Sequence, residues 1–196
     1  MVNSFLYSTS ISSTKGIHKS SKHSVATKTY KHPEHYIVMA TVWTFTNKRE
    51  LNKSEFLNYI ERKVFRTIRK FDMLPRDRSI TLKKSNDLNT NVLKKIIETK
   101  FPVKFSTKPN LSSENLSQAA EDIFKNILKG NYKGPSPKNK PLYFLSDKEI
   151  ELYAKLSSIK GAKRKQDKKI QTLFEKFLKK NQDLELNIVK AVGQLE

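Results

Sequence analysis

The fold is decided by the stretch YIVMATVWTF (36–45), the polar break TNKR (46–49) and the segment ELNKSEFLNYIERKVFRTIRKF (50–71). The first ten residues are nearly all β-branched, aromatic or otherwise apolar, which predicts a mostly buried strand. After the break the apolar period changes from two to about 3.6, which predicts an amphipathic helix. Asn52 is placed to cap this helix, and Glu55 three residues later completes a capping box.

The two faces of this helix differ sharply in charge. Its apolar face consists of Phe56, Tyr59 or Ile60, Val64, Ile68 and Phe71, and its opposite face carries Arg62, Lys63, Arg66, Arg69 and Lys70. Like charges at such spacing destabilise a helix by a few tenths of a kcal/mol per pair. An anionic partner would offset that cost, although a solvated helix face explains the pattern as well.

The rest of the chain predicts a fold of the α+β or α/β class. A small sheet is expected, with strands near residues 36–46, 79–83, 101–106 and 184–192, packed with about five helices. After the first helix, the others are expected at residues 89–100, from Ser112 or Ser113 to Lys129, from the capping box Ser146–Glu149 onward, and around Ile170–Leu178. The alternation of Leu184, Leu186 and Ile188 with polar residues favours the final strand.

The chain divides into a basic arm and one domain. Residues 1–33 contain no Asp or Glu, are rich in Ser and Thr, and carry five lysines. This composition is typical of a mitochondrial transit peptide and predicts location in the mitochondrial matrix. The alternative is a basic arm that binds nucleic acid directly. Residues 34–196 are expected to form a single basic domain with a Gly/Pro/Lys-rich linker at 131–141.

Composition excludes several kinds of chemistry. The chain has no cysteine, which excludes disulfides, thiolate metal sites and a cysteine nucleophile. The spacing of the four histidines matches no metal-ligand pattern, so no metal and no cofactor are expected. No apolar run is long enough for a transmembrane helix. Because no complete catalytic signature is present, the sequence predicts a protein that is not an enzyme and has no catalytic residues.

The charge points to nucleic acid as the partner. The formal net charge is +20 over 196 residues, a charge that favours nucleic acid or an anionic membrane surface over a neutral partner; the membrane is the weaker alternative, because the apolar face of the first helix is needed for the core. The expected contacts are the basic face of the first helix, the linker and a later basic run: Arg62, Lys63, Arg66, Arg69, Lys70, Lys138, Lys140, Lys163, Arg164, Lys165, Lys168 and Lys169, with Tyr132 as a stacking residue. Without a base-reading motif, contacts to the backbone of the nucleic acid are expected, and RNA is favoured over DNA.

Two stretches after residue 115 resemble a known family. The first is Ala120-Glu121 through Asn126-Ile127-Leu128-Lys129-Gly130, and the second is Lys140-Pro141, Lys148-Glu149-Ile150 and Leu152-Tyr153-Ala154. They resemble the C-terminal half of the tRNA 2-thiolation enzymes, which belong to the PP-loop ATP pyrophosphatases, and residues 173–192 follow a similar plan. The resemblance implies an α/β fold with parallel strands.

Three motifs of that family are missing from this chain. Thr46-Asn47-Lys48-Arg49 stands where the Ser-Gly-Gly-x-Asp-Ser loop would bind ATP, and without glycine the backbone cannot approach a pyrophosphate closely. The CxxC pairs are absent, and Ser113–Gln118 lacks the residues of the Gly-His-Asn-x-Asp-Asp turn. The resemblance therefore implies a relative without ATP chemistry, and no catalytic residue carries over.

Two functions follow as expectations. The first is a non-enzymatic, basic mitochondrial RNA-associated protein that works with other ribonucleoprotein subunits, such as those of the mitochondrial ribosome. The alternative is a scaffold subunit for tRNA modification, or a protein that binds mitochondrial DNA.

Overall fold

The computed structural model describes residues 40–131, 134–181, 183–192 and 194. The strands are β1 (Thr41–Thr44), β2 (Glu50–Asn52), β3 (Ile80–Leu82) and β4 (Val103–Phe105). The helices are α1 (Lys53–Lys70), α2 (Leu88–Ile97), α3 (Leu116–Leu128), α4 (Asp147–Leu156), α5 (Lys168–Leu178) and α6 (Leu184–Val192). Short strands packed with these helices confirm the expected fold class. The predictions for residues 1–33, 36–39 and Tyr132 lie outside the described residues.

The strands form two separate pairs. β3 and β4 pair in parallel, with Ile80 opposite Val103, and the intervening α2 makes them a βαβ unit. β1 and β2 pair antiparallel through a tight turn, in which the Phe45 N–H donates to the Arg49 carbonyl at 2.9 Å. The parallel strands that the family resemblance implies are therefore present in the second pair and not in the first.

The main core lies around α1. The Asn52 side chain accepts from the Glu55 N–H at 3.0 Å and the Glu55 carboxylate accepts from the Asn52 N–H at 2.9 Å, which confirms the predicted capping box. Five residues of α1 are buried: Phe56, Ile60, Val64, Thr67 and Ile68. They pack with apolar residues of α2, α4 and β3 in one cluster. Because one face of α1 is buried in this way, the opposite face is fixed towards solvent.

The predicted strand at 184–192 is wrong, because this segment is α6. Val189 and Val192, three residues apart, are buried against Leu116, Ala119, Ala120 and Ile123 of α3. The alanines let the two helices approach closely. The segment also contains leucine, glutamate and lysine, which have good helix propensity, so packing at helical spacing outweighs the short alternation at its start.

The segment that follows α4 is anchored on the start of α2. The Leu88 N–H donates to the Ala162 carbonyl at 2.8 Å, and the Ala162 N–H donates to the Asn86 carbonyl at 2.9 Å. Gly161 makes this approach possible, since a Cβ there would lie 2.7 Å from the Leu88 Cα. This contact determines where the next residues, including Arg164, can reach.

Candidate nucleic-acid interface and internal cavity

The exposed face of α1 carries four cationic side chains. Arg62, Arg66, Arg69 and Lys70 are all exposed, and none of them forms a salt bridge with another described residue. We call these four residues the α1 stripe. Arg62 and Arg69 are seven residues apart, which corresponds to about 10 Å along the helix axis. The stripe therefore offers four uncompensated positive charges at a spacing that several phosphates could match.

Lys70 is also held by aromatic rings. Its Nζ lies 5.3 Å from the ring centroid of Phe71 and 5.9 Å from that of Phe144. The two rings stack on each other with a centroid separation of 6.2 Å and an interplanar angle of 22°. The cation–π contacts restrain the lysine stem while its ammonium group stays accessible.

Lys63 lies between the α1 stripe and the buried face of α1, is only partly exposed, and is already neutralised. Its Nζ lies 2.8 Å from Glu149 Oε1 and donates to the Tyr59 hydroxyl at 3.0 Å. Burial alone would lower the pKa of Lys63, but the Glu149 carboxylate outweighs it and the pKa is raised. The Tyr59 pKa is raised as well, first by burial and then by Glu149. We therefore leave Lys63 out of the interface.

Arg164 likewise turns inward, between two carboxylates. Its Nε donates to Asp147 Oδ2 at 2.9 Å, and its Nη1 donates to Glu121 Oε2 at 2.6 Å. Glu121 also accepts from Lys125 Nζ at 2.8 Å. Burial opposes the ionisation of Glu121, but the hydrogen bonds from Arg164 and Lys125 outweigh it and lower its pKa. Arg164 therefore joins α3 to the start of α4 and is not available to an external phosphate.

The other residues predicted as contacts fall into two groups. Lys140 pairs with Glu114 at 2.5 Å, and Lys163 pairs with Glu151 at 2.7 Å in an exposed pair. The exposed lysines without a salt bridge to a described residue are Lys138, Lys165, Lys168 and Lys169. The structure thus leaves the α1 stripe and these four lysines accessible among the described candidates.

A cavity of about 740 Å³ lies between the two clusters of apolar residues. Its charged lining consists of Glu121, Asp147, Glu149, Glu151, Glu175, Asp183 and Glu185 together with Lys63, Lys148, Lys163 and Arg164. Seven carboxylates against four cations make its lining negative, although the whole chain is strongly positive. An anion such as a phosphate is disfavoured there, which leaves the outer face of α1 as the better candidate for RNA.

No pattern in the sequence indicated this cavity. Glu185, which lines it, is half-buried, and this desolvation raises the pKa of its carboxyl, while a hydrogen bond from Ser117 Oγ at 3.0 Å opposes the rise. Trp43 forms part of the wall and packs on Phe56 at a centroid distance of 5.4 Å. Its indole N–H is buried without a hydrogen-bond partner among the described residues. These residues are far apart in the chain, so no local pattern links them.

The fold matches a solved structure. The U34-tRNA thiolase NcsA from Methanococcus maripaludis, solved with its [4Fe-4S] cluster, superposes with a TM-score of 0.63 at 12% sequence identity. The match covers 79% of this chain and 84% of that one. The two chains share a fold. No protein-family model and no curated protein sequence matches this chain.

This comparison overturns one expectation. The sequence predicted a protein that is not an enzyme, but a protein of the same fold is a thiolase, which is an enzyme. The fold is therefore no argument against catalysis. The chain has no cysteine, so its residues do not fit an iron–sulfur cluster held by thiolates.

The described residues offer neither a membrane-spanning helix nor a group of metal ligands. None of their helices combines the length and the apolar character that crossing a bilayer would require. In the same part of the chain, no three or more His, Asp or Glu side chains come together as metal ligands.

Proposed function

We infer that this protein binds tRNA through the α1 stripe and takes part in tRNA modification. The observation that carries this proposal is the row of four exposed cations that have no carboxylate partner among the described residues, on the central helix of a fold that a tRNA thiolase shares. Arginine suits this role because its planar guanidinium donates two parallel hydrogen bonds to a phosphate.

The surroundings of the stripe support a polyanion rather than a small anion. The exposed cations that follow α1 in the chain and form no salt bridge with a described residue include Arg76, Arg78, Lys83 and Lys84. The stacked pair of Phe71 and Phe144 lies under Lys70, and aromatic rings beside cations are a common feature of surfaces that bind single-stranded nucleic acid. tRNA is favoured over ribosomal RNA and DNA because a protein of known structure with this fold, the U34-tRNA thiolase, acts on tRNA.

The test replaces Arg66 and Arg69 by glutamine and measures tRNA affinity against salt concentration. Each phosphate contact contributes about −0.7 to −0.9 to the slope of log affinity against log salt, so losing two makes the slope shallower by roughly one to two. The fold stays intact because both side chains lie off the buried face. The matched control, Lys155→Gln with Lys190→Gln, removes the same charge from exposed positions of α4 and α6.

Two outcomes of this experiment would contradict the proposal. If the control variant changes the slope as much as Arg66→Gln with Arg69→Gln, the protein binds RNA only through its total charge. If neither changes the slope or the affinity, the α1 stripe is a solvated helix face. Crosslinking in cells followed by sequencing of the bound nucleic acid separates tRNA from ribosomal RNA and from mitochondrial DNA.

The mitochondrial location stays a separate prediction. Residues 1–33 lie outside the described residues, and their acid-free, Ser-rich composition supports it. A fluorescent reporter fused to residues 1–35 should enter mitochondria. Retention of this reporter in the cytosol would refute targeting without affecting the proposal on tRNA.

A further inference from the structure

Four of the five large apolar side chains exposed among the described residues lie on two helices. They are Ile127 and Leu128 of α3, with 37% and 69% exposed, and Leu173 and Phe177 of α5, with 38% and 53% exposed. The helices meet where Phe124 and Phe174 form an edge-to-face contact with a centroid distance of 5.6 Å. We call the four exposed side chains the α3–α5 patch.

The patch continues from this ring contact at helical spacing. Ile127 and Leu128 follow Phe124 by three and four residues, and Phe177 follows Phe174 by three, so each lies one turn beyond the contact. Ile170 is the only buried residue of α5. The helix is amphipathic, and although its Phe174 packs on Phe124, the neighbouring Leu173 and Phe177 of the apolar stripe stay exposed in the described part of the chain. Exposed large apolar side chains that lie together in this way mark an interaction site.

A row of lysines borders the patch. Lys169 and Lys176 lie four residues before and three residues after Leu173, and Lys180 lies three residues after Phe177. At these spacings Lys169 and Lys176 neighbour Leu173 on the helix surface, and Lys180 follows Phe177 just beyond the end of α5 at Leu178. All three are exposed and form no salt bridge with another described residue. The surface therefore offers an apolar centre with positive charge along one edge.

We propose that the α3–α5 patch docks an acidic, amphipathic helix of a partner protein. The partner's apolar face covers Leu128, Leu173 and Phe177, and its carboxylates lie along Lys169, Lys176 and Lys180. Helices that place apolar anchors in such a surface are a recurrent mode of recognition. This contact uses neither the α1 stripe nor tRNA, so it is independent of the function proposed above.

Charge and side-chain type argue against three other occupants of the α3–α5 patch, namely a second copy of this chain, residues 1–33 and RNA. A second copy of this chain carries a net charge of +20, and residues 1–33 carry lysines without a single carboxylate, so both would bring like charge to the lysine row. Three of the four patch residues are aliphatic, which gives RNA bases little to stack on.

The experiment uses a labelled synthetic peptide of roughly five helical turns, with leucines on one face and glutamates elsewhere. Its affinity for the full-length protein is measured by fluorescence anisotropy, beside a scrambled peptide of the same composition. We expect the scrambled peptide to bind at least about tenfold more weakly, because it offers no continuous apolar face. Equal binding of both peptides would overturn the proposal, since it would show attraction by charge alone.

Variants then locate the site. Leu173→Ser with Phe177→Ser should weaken binding of the amphipathic peptide by about tenfold or more. Phe105→Ser is the matched control, since Phe105 is 45% exposed on β4, and should change it by less than about twofold. A second variant, Lys176→Gln with Lys180→Gln, changes only exposed side chains and should weaken binding and reduce its salt dependence.

The remaining outcomes decide between occupants. Unchanged peptide affinity in both variants of α5 would overturn the proposal. A different result would also overturn it: Leu173→Ser with Phe177→Ser leaves peptide binding intact but abolishes another interaction. That interaction could be self-association in sedimentation, binding of an oligouridylate, or flotation with vesicles of phosphatidylcholine and phosphatidylserine. Each of these results would assign the patch to a second copy, to RNA or to a membrane surface.

Discussion

Replacing Arg164 by methionine removes the guanidinium from between Glu121 and Asp147 and keeps a side chain of similar length. The Arg164 side chain is only 18% exposed and that of Glu121 only 10%, so the remaining carboxylates are poorly solvated. Removing one partner of a buried ion pair typically costs about 3–5 kcal/mol. Here Glu121 keeps Lys125 and Asp147 keeps a hydrogen bond from Asn115. We therefore expect the free energy of unfolding to fall by about 2–3 kcal/mol.

Urea denaturation followed by the fluorescence of Trp43, the single tryptophan, measures this loss. The slope of the free energy of unfolding against urea concentration should stay the same, because the surface exposed on unfolding is unchanged. Lys165→Met is the control, since Lys165 is exposed, and should stay within about 0.5 kcal/mol of the original protein. A loss below about 0.5 kcal/mol for Arg164→Met would refute the reasoning, because the three groups would then act as a solvated surface cluster.

The pH dependence gives this prediction a second readout. The pKa of Glu121 is lowered in the folded state, where hydrogen bonds from Arg164 and Lys125 together outweigh the effect of burial. Its stabilising contribution is therefore present above the unfolded pKa and is lost as pH falls through the folded pKa. The stability difference between Arg164→Met and the original protein should accordingly shrink in acid. A difference that grows in acid would contradict this assignment of charges.

Three further predictions concern other parts of the fold, each measured by urea denaturation. Gly161→Ala should lower the free energy of unfolding by about 1–3 kcal/mol, because the new Cβ would meet backbone atoms of Leu88 at 2.7 and 2.8 Å. An unchanged free energy of unfolding would show that the contact is loose. Glu185→Gln should stabilise the protein at neutral pH, because burial raises the pKa of this carboxyl and its ionisation therefore costs stability as pH rises above the unfolded pKa. The gain in stability should vanish below about pH 4, and a gain that stays constant with pH would exclude this cause. Ser146→Ala should cost about 1 kcal/mol, since its Oγ accepts from the Glu149 N–H at 3.3 Å, and an unchanged stability would mean that this cap contributes nothing.

Elements with local signals could be predicted from the sequence. The capping boxes at Asn52 and Ser146 predict the starts of α1 and α4. They can be recognised in the sequence because both partners of a capping box lie within one helical turn. The start of α3 was less accurate, since Asn115 caps it rather than Ser112 or Ser113. Asn115 is selected by a distant partner, as its amide donates to Asp147 at 2.6 Å.

Features that depend on distant partners could not be predicted. The identity of α6 depends on the alanine face of α3, some 65 residues earlier in the chain. In the sequence, Arg164 is indistinguishable from the other cations of its basic run, because Glu121 and Asp147 lie 43 and 17 residues away. Net charge predicted an anionic partner but could not tell which cations already had a carboxylate neighbour.

The separation of charge between the cavity and the α1 stripe has a kinetic consequence. Lys63 and Arg164 are neutralised internally by the cavity's carboxylates, whereas Arg62 and Arg69 face solvent without a salt bridge to any described residue, about 10 Å apart along the helix. That spacing is close to the Debye length at physiological salt, about 8 Å, so their fields overlap and reach an approaching polyanion together. Such a surface accelerates encounter, raising the association rate constant well above that of a neutral surface at low salt. The protein would then find a polyanion quickly, while the duration of the complex depends on the short-range contacts that form afterwards.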